Sequence, residues 1–195
     1  VATSLSKPLK TLCDLDILER EVPPTEKNIE TSKKGQYRIK DNFLAFWFRF
    51  VYPMRSFIES DHPEIAMTKL KTGFIPNHVG YVYEDICRQK MWELNAQGKL
   101  PFLFDRVGRW WGGKDTEIDI VAIDTTDRSK IIFGECKFHQ NVPMQLSELH
   151  QLKEKAAVVP WGNANRDEYF ALFCISGYSE DLQQLAQEDS HLLLM

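Results

Sequence analysis

Cysteine is scarce and scattered in this chain. Its four thiols, Cys13, Cys87, Cys136 and Cys174, form no C-x-x-C pair and have no histidines at matching spacing. That argues against a zinc site and reads instead as reduced, buried thiols in an intracellular, cytoplasmic protein. Long apolar runs are missing as well. No stretch approaches the roughly 20 residues that a membrane-spanning helix needs, and even "FLAFWFRFVY" is interrupted by Arg49. There is no signal peptide, internal repeat or low-complexity segment, and no initiating methionine. The first residues read as the middle of a helical unit, which leads us to expect a piece of a longer protein. Strong net charge is also absent, at −4 over 195 residues. Residues 1–55 carry ten Lys and Arg against seven Asp and Glu, and the remainder fourteen against twenty-one. An acidic remainder argues against nonspecific nucleic-acid binding there, yet suits a carboxylate-rich site for divalent cations.

What is present is an α/β pattern in three stretches. Over 1–55, leucines spaced for a helix at 5–15 are followed by short strands at 17–22 and 35–40, with a Pro- and Lys-containing loop between them. This is the back half of a winged-helix unit. Asp41 is placed to cap an aromatic helix that ends at Pro53. Phe43, Phe46, Trp47, Phe50 and Val51 recur three and four apart, predicting a wide buried face. Residues 56–77 form a helical connector punctuated by prolines. From 78 to 195 the expected order is α-β-β-β-α-β-α-β, with a helix at 78–96 and strands at 101–111, 116–124 and 130–138. A helix at 144–158, a strand at 169–176, a helix at 179–188 and a final short strand complete it.

The second and third strands of that series, "TEIDIVAID" and "KIIFGECKF", flank a polar turn. A hairpin centred near Asp127 sets Asp119 opposite Glu135 and Glu117 opposite Lys137, all four on one side of the sheet. Val121, Ile123, Ile131 and Phe133 continue that side, while Ile118, Ile120, Ala122, Ile132, Gly134 and Cys136 form the other. One face is thus apolar near the turn and charged at its far end, as at the mouth of a pocket. Converging carboxylates repel unless a cation sits among them. Magnesium, or manganese, suits a shell of carboxylates and waters, with the Cys136 carbonyl as a further oxygen. Lys137 would then position or deprotonate a water, or stabilise a developing phosphorane. For Glu117 a salt bridge to Lys137 is expected, with metal ligation as the alternative.

An acidic residue on one strand, "E-x-K" on the next and a glutamate on the preceding helix resemble the PD-(D/E)XK nuclease superfamily. The resemblance covers about residues 78–177. It assigns metal binding to Asp119, Glu135 and Glu84 (in "YVYEDICR"), and assistance of the attacking water to Lys137. A wider likeness runs through "GQYRIKDNFLAFWFRFVYP", "YEDICR", "VGRWWGGKDTEIDIVAID" and "FGECKF". Together these resemble the C-terminal region of a family of archaeal and bacterial AAA-type ATPases, in which a P-loop ATPase domain precedes a winged helix and an endonuclease-like domain. The expected fold is therefore a restriction-endonuclease-like core behind a partial winged helix.

"GRWWGGKDT" nearly spells a phosphate loop. However, Asp115 replaces the magnesium-binding hydroxyl, the tryptophans crowd the backbone, and a strand follows in place of a helix. The glycine pair reads as a hairpin turn, with Arg109 and Lys114 as contacts to a DNA backbone. Lys33, Lys34 and Arg38 are the corresponding candidates in the winged part. Lys153 and Lys155 read as a solvated helix face, with contact to DNA as the alternative, and His139 and His150 as surface or packing residues, with contact to phosphate as the alternative. The expected activity is metal-dependent hydrolysis of DNA phosphodiesters, with catalysis by Glu84, Asp119, Glu135 and Lys137. The alternative is a non-catalytic module that binds DNA or a protein for an attached ATPase.

Overall fold

A computed structural model describes residues 2–113, 115–163 and 165–195. The chain divides into two compact units, one made of the residues up to Glu21 with Gly35–Val82, the other of Val22–Lys34 with Tyr83–Met195. Val22–Lys34, grouped by sequence pattern with the first stretch, therefore counts with the second unit.

The first unit opens with α1 (Ala2–Asp14) and the antiparallel pair β1 (Leu18–Glu21) and β2 (Gln36–Ile39), in which Leu18 faces Ile39. Asp41 caps α2 (Asn42–Phe46), its carboxylate accepting from the Leu44 N–H at 2.8 Å. The aromatic run does not continue as one helix. It winds into a π-turn at Trp47–Val51 and a 3-10 turn at Tyr52–Met54 before α3 (Arg55–Glu59) and α4 (Pro63–Phe74). The expected buried face is corrected: Phe46 and Phe50 gather with Phe74 and His78, ring centroids 5.5 to 6.3 Å apart, whereas Phe43, Trp47, Phe48 and Tyr52 are exposed.

The second unit follows the expected order. α5 (Gly80–Ala96) leads to β3 (Arg106–Gly112), β4 (Thr116–Ile123), β5 (Lys130–Lys137), α6 (Leu146–Ala156), β6 (Asp167–Cys174), α7 (Glu180–Glu188) and β7 (Leu192–Leu194). The five strands lie in chain order in one sheet, antiparallel from β3 to β5 and parallel from β5 to β7. β3 starts later than expected, because Asn95 holds the Phe104 amide and carbonyl at 3.0 Å each and keeps that segment outside the ladder. Leu149, Leu152 and Leu182 join Val121, Ile123, Ile131 and Phe133 on one face. Cys87 and Met91 of α5 join Ile120, Ala122, Ile132 and Cys136 on the other. β5 is central and covered on both sides, which is why it reads as a nearly unbroken apolar run.

The hairpin has the predicted register, Ile120 facing Gly134 and Ile123 facing Ile131. Pairing with β5 stops at Ile120, however, and on its other side β4 carries an extra residue: Gly108 faces Val121, but Trp110 faces Ile118. This is a β-bulge, and it inverts the alternation beyond it. Ile118 consequently packs with Trp110 and Val121, and not with Ile120 as expected. Glu117 turns out to solvent. The expected common face for Glu117, Asp119, Glu135 and Lys137 is thereby corrected.

Candidate functional site

The charged end of the hairpin is shaped by that bulge. A bulge leaves backbone groups without ladder partners, and side chains take them up here. The Asp119 carbonyl accepts from Arg88 of α5 at 3.1 Å, and the Asp119 carboxylate accepts from the Cys136 N–H at 2.8 Å. Asp119 thus spans the gap where β4 and β5 part. The Cys136 carbonyl leaves a β-strand on the same side as its N–H, so it faces the same gap.

Glu135 is a charged residue that is buried, only 5% exposed. Lys137 holds one of its oxygens at 2.5 Å, and Lys155 of α6 holds the other at 3.1 Å. The salt bridge expected between Glu117 and Lys137 is replaced by this one. Burial alone would lower the Lys137 pKa, but Glu135 beside it wins, and the pKa lies above its ordinary value.

Glu84 lies one turn before Arg88 on α5, 3.7 Å from it, and Arg88 is also ion-paired with Asp85. Burial, followed by repulsion from Asp119, pushes the Glu84 carboxyl up to about 8, against the pull of Arg88 and Arg109. Burial and then Glu135 push Asp119 up to about 6, while its bond to Cys136 and the two lysines oppose the rise. Glu84, Asp119, Glu135 and Lys137 are therefore brought into one electrostatic neighbourhood. Among the described residues, no three His, Cys, Asp or Glu side chains are grouped closely enough to form a ready-made metal cage.

The other candidates are distributed differently. Arg109 on β3 stacks over Trp111, 5.5 Å from the ring, and acts on Glu84 as noted. Lys34 pairs with Glu26 at 2.8 Å, and Arg38 pairs with Glu19 and Glu21, so both are committed within the protein. Lys33 is exposed. Lys114 lies outside the described residues.

Two site residues escaped the sequence reading, Lys155 and Arg88. By residue type Lys155 reads as solvated or, at most, as a contact to DNA, yet it sits three after Leu152 and one before Ala156, at the border of the face that α6 buries. Arg88 follows Glu84 by four, the spacing of helical neighbours.

A family model described as archaeal and bacterial proteins of unknown function matches residues 47–156, more than half of the chain. The chain belongs to that family. The match takes in α5, the hairpin and α6, so every residue of the charged end falls inside the family region. An uncharacterized protein of Methanocaldococcus jannaschii is similar, 34% identical over 171 residues, which is 87% of this chain and 37% of the relative. The chain thus spans little more than a third of that relative's length. No solved structure gave a significant match. Among the described residues, no helix is long and apolar enough to cross a membrane.

Proposed function

We propose that the charged end of the hairpin is a metal-dependent nuclease centre of PD-(D/E)XK type. The observation that carries this reading is the bulge that aims Asp119 into the gap beside Glu135, since bulges of this kind re-aim side chains next to active sites. Magnesium commonly keeps most of its water and uses one or two carboxylates. Asp119 and Glu135 with the Cys136 carbonyl fit that demand without a closed cage, and Glu84 would join through water. When bound, the ion would polarise the scissile phosphate and acidify a water.

The remaining work falls to the protein's own groups. Lys137, already a donor to Glu135, orients the attacking water and balances charge developing on the phosphorus oxygens. Arg109 and Lys33 suit contacts to the DNA backbone. In this reading the chain is the nuclease-like part of an ATPase-linked protein. A second reading, a non-catalytic module that binds DNA or protein, has one observation in its favour: two lysines already neutralise Glu135.

The test is incubation of plasmid and branched DNA with magnesium or manganese. Asp119→Asn, which retains an oxygen for the Cys136 N–H, should cut at no more than about one-hundredth of the wild-type rate, the scale of losing one main electrostatic group. Equal cutting by wild type, Asp119→Asn and Glu135→Gln, or none by any of them, rejects the nuclease assignment.

A further inference from the structure

Glu135 presents an unusual balance for a residue proposed to hold a divalent cation. It is buried, and each of its oxygens is engaged by a different lysine, Lys137 from its own strand and Lys155 from α6. Lys137 is anchored two residues away on β5, whereas Lys155 reaches in from the last turn of α6 with its side chain one-third exposed. A buried carboxylate left with too little positive charge costs several kcal/mol, so some cation must stand beside Glu135 whenever metal is absent. The two lysines also act on Asp119, lowering its proton affinity. Lys155 is the one that a flexible four-carbon stem can withdraw to solvent without disturbing the sheet.

We propose that Lys155 is a resident counter-ion of Glu135 that a divalent cation displaces. It holds the carboxylate in place while the site is metal-free, then gives up its place and remains at the site's rim as a free ammonium, suited to a phosphate oxygen. This rests on the metal-binding part of the proposed function but not on its hydrolytic part. Lys155 is a positioning residue in this scheme.

The experiment titrates the full chain with Mn2+ alone, following free Mn2+ by electron paramagnetic resonance. Lys155→Met removes the competitor, so its dissociation constant should fall about tenfold below wild type, the scale expected of one partly screened charge. Its melting temperature without metal should drop and be raised by Mn2+ more than that of wild type. Lys155→Gln, which still donates to Glu135 but is uncharged, should shift affinity in the same direction and serves if the methionine variant does not fold. Lys153→Met, on the same helical turn but placed over the Phe170 ring at 5.2 Å, controls for loss of charge at the helix end and should bind as wild type does. Unchanged or weaker binding by both Lys155 variants overturns the proposal, as does absence of Mn2+ binding to every protein tested. Tighter binding by the variants, with no DNA cleavage by wild type, would keep the counter-ion role and reject the nuclease reading alone.

Discussion

Glu84 and Asp119 put a measurable pH dependence on single residues. Both carboxyls bind their proton more tightly in the folded chain, at about 8 and about 6, than at their ordinary values of 4.5 and 3.8. Between those limits the folded state holds more protons than the unfolded one, so stability falls as pH rises. Urea midpoints should therefore decline from pH 5 to pH 8, and Glu84→Gln should remove the part of that slope above about pH 6. A wild-type midpoint that stays flat or rises over this interval contradicts the burial of these groups. Gly134 makes a second case. A Cβ there would lie 2.9 Å from the Ile120 Cβ and 3.2 Å from the Ala171 carbonyl, inside a sheet packed on both faces. Gly134→Ala should cost about 2 kcal/mol by overpacking, readable as a lowered urea midpoint with an unchanged slope. Glu135 and Lys137 were legible because strand spacing and residue type announce them, and Glu84 through the resemblance of its helix, whereas the same alternation misplaced Glu117. Lys155 was not, because a lysine at the border of a helix face looks the same in sequence whether it faces water or a buried carboxylate.

At the scale of elements, α6 is the support on which the Glu135 pairing depends. Its start is fixed by reciprocal bonds between Gln145 and Glu148. Its far end is closed by Arg166, which donates to the carbonyls of Ala156, Val159 and Trp161 at 3.0, 2.6 and 2.7 Å. Helix ends leave carbonyls short of partners, and one guanidinium ties the last carbonyl of α6 to two in the loop that follows. Arg166→Met should destabilise the protein by about 3 kcal/mol, with faster amide exchange over residues 153–159, the turn that carries Lys155. The hairpin shows how far a sequence pattern reaches. Alternation set the face, because a one-residue slip would expose apolar residues, and centring the polar turn near Asp127 set Ile120 opposite Gly134, since a two-residue slip keeps the face and changes the partners. The bulge at Asp119 was invisible, since one extra residue changes no composition and shows itself only against the neighbouring strand. The aromatic run shows a further limit: Phe43 and Trp47 share the spacing of Phe46 and Phe50, but only the second pair meets the Phe74 ring, and spacing does not say which part of a stripe finds a partner.

At the scale of the molecule, the second unit is not continuous in sequence. Arg106 donates to the Glu26 carbonyl at 2.9 Å, the Trp110 indole to the Thr25 hydroxyl at 3.1 Å and the Trp111 indole to the Lys34 carbonyl at 3.1 Å. All three link β3 to Val22–Lys34, a segment far away in the chain. Residues 78–195 produced alone would lack these partners and should melt several degrees below the full chain, compared by circular dichroism. An equal melting temperature would show that the early segment contributes nothing to this unit.

The place where that segment lies has a further consequence. β3 is the outermost strand of its sheet, and Pro24 sits against it, so that a Cβ on Gly108 would meet the ring at 3.2 Å. A Cβ points out of the sheet plane, so Pro24 lies over a face of the strand, beside the Trp110 ring that Thr25 holds. The early segment thus covers apolar surface as well as bracing the strand. Stripped of it, the sheet should gain a sticky patch, and light scattering of residues 78–195 should rise with concentration while the full chain stays clear.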